Sequence, residues 1–315
     1  MTRPITFALQ AQPTSTAHWA DVARSAEAAG FEALCTPDHP GSTASPFVAL
    51  AAAAAVTETI HLGTAVVNAG LREPMDLASD VATLDVLSGG RALLGIGAGH
   101  TPAEWSAVGR SYPAPSARID RLAEMLATVP RLVGGETVTF EGEHVRLHDA
   151  SLAVNAGRRV PLLVGGGHPR LLRIGAERAD IVEITGSGRT LADGLFHEAR
   201  WSPADVDRVT GIVSEAATQA GTSPVVSALV QYVKIIDDPE AALGRYLDRA
   251  AGDVPPEALP SFADAHASPY TLVGTITDIV AKLAAIRERW GITRYTVRSL
   301  DPVAELIDAL DPPEG

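Results

Sequence analysis

Short apolar runs alternate with longer amphipathic ones from one end of this chain to the other, and few folds accept that pattern. Ile5–Leu9, Phe31–Thr36, Ile60–Val67, Arg91–Ile96, Val160–Val164, Asp180–Ile184, Val225–Ile236 and Thr293–Val297 read as strands. Ala17–Ala29, Pro46–Val56, Pro74–Leu87, Pro102–Val108, Ala117–Val133, Pro169–Glu177, Pro203–Ala220, Pro239–Ala251, Thr275–Trp290 and Val303–Leu310 read as helices. Many open on proline, and Gly30 and Ser88-Gly89-Gly90 stop two of them, as helix ends require.

A helix after each strand returns the chain to the same edge, so the sheet is parallel. Eight such units in 315 residues predict an α/β fold, a closed (β/α)8 TIM barrel; periodicity alone leaves an open doubly wound sheet as the alternative. Two stretches stand outside the repeat as loop insertions. Near 134–158, Thr137–Phe140 and His144–Leu147 flank Glu141-Gly142-Glu143 as a small hairpin, and near 252–270 a proline-rich loop carries a short helix. Nothing marks a linker, so 1–315 reads as one domain.

A net charge of −13 argues against nucleic acid or an anionic membrane as partner, since both call for a basic surface. Cys35 is the only cysteine, which rules out an intrachain disulfide and the usual zinc spacings and reads as a small buried side chain. No apolar signal-peptide core follows Met1, and no apolar run is long enough to span a bilayer. The expectation is a soluble cytoplasmic protein that takes a small molecule.

Barrels of this kind bind ligands at the C-terminal ends of their strands. There the sequence places Asp38-His39, Asn68, Gly95-Ile96-Gly97-Ala98-Gly99-His100, and Gly165-Gly166-Gly167-His168. Three glycines between a strand and a helix start let the backbone approach an anion such as phosphate; a tight βα turn is the plainer reading. The glycines at 95, 97 and 99 fail the dinucleotide fingerprint at position 100 and read as close approach to a flat ligand. His39 and His100 are candidates for proton transfer or for hydrogen bonding to a redox ring, with Asp38 placed to orient the imidazole, to touch a cofactor, or merely to cap a loop. His144 and His148 share a strand face without a third ligand and read as solvated surface, while Asp237-Asp238 and Asp301 read as helix N-caps.

Taken together, Gly30-Phe-Glu-Ala-Leu34 with Asp38-His39, Leu62-Gly-Thr-Ala-Val-Val-Asn68, Ala82–Arg91 with Gly95–Gly99, Thr139–His144 and Gly165–Gly167 resemble the luciferase-like monooxygenase superfamily, in its coenzyme F420-dependent oxidoreductase branch. The resemblance implies a deazaflavin at the barrel mouth, with Asp38 and His39 beside its rings. It also implies a bulge at Ala65 and Val66 under the ring face, often with a non-proline cis peptide, and a phosphate on the backbone at Gly166 and Gly167. The branch's sugar-phosphate dehydrogenases carry an acidic residue where His100 stands here and a tryptophan where Gly41–Ser45 stands. Their phosphate-gripping basic residues have no clear match beyond nearby Arg189. His100 is therefore taken as a proton donor or substrate contact. The function expected is an F420-dependent oxidoreductase that exchanges a hydride with a small organic molecule. The alternatives are an FMN-dependent luciferase-like monooxygenase and a non-catalytic F420 carrier; a homodimer is expected in either case.

Overall fold

The apolar runs pair side by side until the last meets the first. In this computed structural model, which describes residues 3–310, the barrel strands are β1 (Thr6–Gln10), β2 (Ala33–Thr36), β3 (His61–Thr64), β4 (Ala92–Gly97), β5 (Leu162–Gly165), β6 (Ile181–Ile184), β7 (Val225–Leu229) and β8 (Ile292–Val297). Met1 and Thr2, the start of the segment expected to lead into the first strand, lie outside the described residues. Each strand pairs in parallel with the next, and β8 pairs with β1. Closure leaves no sheet edge in the ring and decides for the barrel over the doubly wound sheet.

Around the ring run α1 (Thr16–Ala28), α2 (Pro46–Ala54), α3 (Pro74–Leu87), α4 (Pro102–Ala107), α5 (Pro115–Val133), α6 (Pro169–Arg178), α7 (Pro203–Ala220), α8 (Pro239–Ala251), α9 (Phe262–Ala267), α10 (Ile276–Trp290) and α11 (Asp301–Leu310). Their ends follow local chemistry. Thr275 and Asp278 form a reciprocal capping box on α10, and Gly291 closes it in the left-handed conformation. Asp238 caps α8 by accepting from the Ala241 amide at 3.0 Å. Asp301 lies inside the first turn of α11 and is not its cap, so it acts on the helix dipole instead. Among the described residues no helix is long and apolar enough to cross a membrane.

Alternation along the strands sorts side chains into two layers. Phe7, Leu9, Leu34, Leu62, Leu94, Ile96 and Val182 join the large core under the helices. Ala8, Ala33, Cys35, Leu93, Leu163 and Ile181 form a separate cluster inside the ring. Several of these inner residues are small, and the space goes to a charge. Arg294 of β8, 1% exposed, donates to Glu32 at 3.1 Å, Ser227 at 3.2 Å and Thr296 at 3.1 Å, and lies 3.5 Å from Glu183. Glu183 accepts from Ser227 at 2.9 Å and from the Thr296 hydroxyl. Burial opposes the guanidinium's charge, yet Glu32, Cys35 and Glu183 outweigh it and its pKa rises. Cys35 is the small buried side chain the sequence reading expected, and burial pushes its thiol up to about 12, which makes it inert.

Several local expectations change. The apolar run Val225–Ile236 is two strands, because the chain changes partners midway. Val230 N bonds to Thr296 of β8, but Gln231 N bonds to Tyr270, and Tyr232–Ile235 then pairs in parallel with Thr271–Gly274 outside the barrel. The expected third strand, Ile60–Val67, is interrupted at Ala65–Val66, whose peptide is cis; Val67–Asn68 then continues it alongside β4. A second hairpin, Ser187–Thr190 with His197–Ala199, has no counterpart in the sequence reading. The 134–158 hairpin pairs Val138–Glu141 with Arg146–Ala150. His144 therefore lies in its turn and not on a strand, and His148 faces Glu141 at 3.0 Å on the surface.

Arg294→Met leaves Glu183 buried without its cation and is expected to cost about 3–5 kcal/mol in urea unfolding. Adding Glu183→Leu should return part of that loss, since it removes the orphaned charge.

Candidate functional site

The C-terminal ends of the strands open into a cavity of about 1150 Å³. Of the strand-end residues named from the sequence, all but Gly95 and Ile96 line it: Asp38 and His39 after β2, Ala65, Val66 and Asn68 after β3, Gly97, Ala98, Gly99 and His100 at β4, and Gly165, Gly166, Gly167 and His168 at β5.

The best-defined pair is His39 with Glu104 of α4. The imidazole Nδ1 lies 2.6 Å from one carboxylate oxygen, and Asn68 donates to the other at 2.9 Å. Asn68 is itself fixed, because its side-chain oxygen accepts from the Gly70 amide at 2.9 Å. The loop Gly41–Ser45 closes back on His39, whose amide donates to the Thr43 hydroxyl at 2.8 Å. The imidazole is thus oriented by Glu104 and not by Asp38. Arg72 takes both Asp38 oxygens, at 3.1 and 2.7 Å, in a partly buried bidentate pair.

Environment separates the histidines electrically. The hydrogen bond to Glu104 raises the His39 pKa above 6.5 against a smaller opposing effect of burial. Burial also acts on Glu104, pushing it up, but the bonds from His39 and Asn68 prevail and its pKa falls. His100 sits edge-on between His39 and His197, with ring centroids 5.6 and 4.6 Å away. Burial, reinforced by those neighbours, drives it down to about 4. His100 is therefore uncharged near neutrality, which fits the role of a contact and not that of an imidazolium proton donor. His168 caps α6, accepting from the Arg170 amide at 3.2 Å.

The glycines answer first to the protein. A Cβ at Gly95 would stand 1.8 Å from the Thr64 carbonyl oxygen, and one at Gly97 would stand 2.8 Å from Val66. At Gly99, with φ of +78°, it would strike Asn68 at 2.1 Å. These absences let the end of β3 lie against β4, so Gly95 is not explained by a flat ligand. Gly167 has the same character, its Cβ position being 2.5 Å from the Ser187 carbonyl oxygen.

The sequence reading missed Glu104, Arg118, His197 and Arg298, all of which line the cavity. Glu104 stands four residues past His100, in the first turn of α4. Arg118 is 9% exposed and stacks 4.2 Å over the Tyr112 ring, and its Nε is buried without a partner. An unmatched buried donor of this kind calls for an acceptor, and Arg118 lines the same cavity as the α6 start at Gly166–Pro169.

Ring-proton NMR across a pH titration should give His100 a midpoint near pH 4 and His39 a midpoint above 6.5. In Glu104→Gln the His39 midpoint should fall, because the main cause of its elevation is gone.

Comparison with known proteins gives consistent matches. Residues 4–294 match the family model described as luciferase-like monooxygenase. The chain is 37% identical over 169 residues to an F420-dependent glucose-6-phosphate dehydrogenase of Kineococcus radiotolerans, covering 51% of this chain and 50% of that protein. It is 29% identical over 242 residues to a 5,10-methylenetetrahydromethanopterin reductase of Methanolobus tindarius, covering 76% of this chain and 67% of that one. The matches thus span from about half to two thirds of those relatives' lengths. The coenzyme F420-dependent tetrahydromethanopterin reductase structure from Methanopyrus kandleri superposes with a TM-score of 0.75 at 20% identity, covering 97% of each chain, which shows a shared fold.

Proposed function

The chain belongs to the luciferase-like monooxygenase family, and from that premise we propose that it is an F420-dependent oxidoreductase that exchanges a hydride with a small organic molecule. The observation that carries this is the His39–Glu104 pair, held 2.6 Å apart at the mouth of the barrel beside the Ala65–Val66 step. A non-catalytic carrier has no use for an imidazole fixed in orientation and shifted in pKa by a buried carboxylate.

The cavity fits the cofactor. The unpartnered Arg118 Nε and the backbone at Gly166–Gly167 suit its phosphate, and the Ala65–Val66 step and Asn68 suit the side and edge of its ring system. When bound, F420 supplies a ring that takes up or gives back a hydride. The residues do the rest. Glu104 accepts at Nδ1 and leaves Nε2 of His39 to exchange the substrate proton that accompanies hydride transfer. His100, uncharged, lends a hydrogen bond without adding positive charge to the site.

Purified protein titrated with F420 should bind it, and FMN should not compete; tight FMN binding with no response to F420 would overturn the assignment. Arg118→Gln is expected to weaken F420 about tenfold, the loss of one charge-assisted contact. His39→Ala should lower kcat by about 10²–10⁴. In the direction that oxidises the substrate, His39 must be neutral to accept a proton, so the rate falls as pH drops through its raised pKa. Glu104→Gln should move that acid limb to lower pH.

A further inference from the structure

Each carboxylate lining the cavity already has a cationic partner: Asp38 has Arg72, Glu104 has His39, Glu183 has Arg294, and Glu198 serves both Arg189 and Arg200. The lining arginines are not matched in the same way. Arg208 reaches Asp205 at 3.7 Å, but Arg118 and Arg298 have no carboxylate in ion-pair range among the described residues. Arg118 faces the α6 start and is accounted for by the cofactor phosphate. Arg298 stands across the ring, just past β8, and nothing so far explains it.

Its guanidinium is held by neutral acceptors. Nε donates to the Gln10 side-chain oxygen at 2.8 Å and Nη1 to the Gln231 oxygen at 2.9 Å. Both amides are locked from behind, because Gln10 donates to the Ala65 carbonyl at 2.6 Å and Gln231 to the Leu229 carbonyl at 3.2 Å. Gln10, Gln231 and Arg298 come from the adjacent strand ends of β1, β7 and β8 and all line the cavity. The glutamines fix the fork without neutralising it, and only part of its five-donor capacity is used. A guanidinium oriented by neutral acceptors, with no carboxylate in ion-pair range among the described residues, is a binding element for a planar oxyanion, and one positive charge matches a carboxylate better than a phosphate dianion. The bond from Gln10 to Ala65 ties this corner directly to the step under the proposed ring position.

We propose that Arg298, oriented by Gln10 and Gln231, is the specificity-determining contact for the substrate, and that the substrate carries a carboxylate. This rests on the F420-dependent reading above only in taking the bound acid to be the molecule that exchanges hydride.

Calorimetric titration of the full chain, with and without F420, uses benzoate as probe and benzamide as its neutral counterpart. Benzoate should bind and benzamide should bind far more weakly. Arg298→Gln should weaken benzoate by about tenfold or more while leaving F420 affinity unchanged, and Arg298→Lys should retain part of the binding. The unchanged F420 affinity also shows that the variant is folded. Equal binding of benzamide, or benzoate binding indifferent to Arg298→Gln, would overturn the proposal. So would loss of F420 binding in a folded Arg298→Gln, which assigns the arginine to the cofactor. Inorganic phosphate held at Arg298 more tightly than benzoate would overturn the choice of a carboxylate. If the unaltered protein fails to bind F420, the functional reading falls, and benzoate lost on Arg298→Gln in the cofactor-free protein still upholds the subsite.

Discussion

The site depends on how closely the end of the third strand is pressed against the fourth and fifth. Val66 occupies space that Cβ atoms at Gly97 and Gly165 would claim, at 2.8 and 3.1 Å, and the Thr64 carbonyl occupies the place of one at Gly95. Because those side chains are missing, the Ala65–Val66 step can stand inward as a ledge on the cavity wall. Asn68 then follows at a depth where it can reach Glu104, and Glu104 can reach His39. Packing at the end of β3 thus fixes the position of an imidazole on the neighbouring strand end, through contacts each shorter than 3 Å.

Beneath this mouth the barrel holds a polar cluster beside Leu93, Leu163 and Ile181, where bulky branched side chains are the usual filling throughout. Small inner residues give the space to Arg294, and its partners come from β6, β7 and β8 as well as from Glu32, which precedes β2. Glu183 belongs to both levels. It holds the buried guanidinium and also lines the cavity, so the core and the floor of the site share one carboxylate. A change there is felt as stability and as electrostatics together.

Much of this was legible in the sequence. The barrel was readable because each strand is a short apolar run and each helix carries its own start and stop signals. Val225–Ile236 misled because both halves are apolar and a change of pairing partner leaves no mark on periodicity. The Ser187–Thr190 hairpin was hidden for the opposite reason, since its strands are short and polar. At the site, strand-end logic found His39, His100 and the glycines. Glu104 escaped because an acid in a helix's first turn has an adequate local explanation. Arg118 escaped because a lack of partners is a property of the folded cavity and not of a residue's neighbours in the chain. Arg298 was within reach, at the end of β8, of the same rule that picked out His39.

The pairing pattern around the cavity bears on how a ligand arrives. The chain as a whole carries −13, yet its mouth presents five arginines, two of them without a carboxylate. An approaching anion meets repulsion from the outer surface and attraction only once it nears the strand ends. Those two fields have different ranges, and dissolved ions damp the longer one first, with a screening length of about 8 Å at physiological ionic strength. Moderate salt therefore lowers the outer barrier more than it weakens the partly desolvated inner contacts, so the entry of anions into this acidic protein quickens, where a simple attraction would slow.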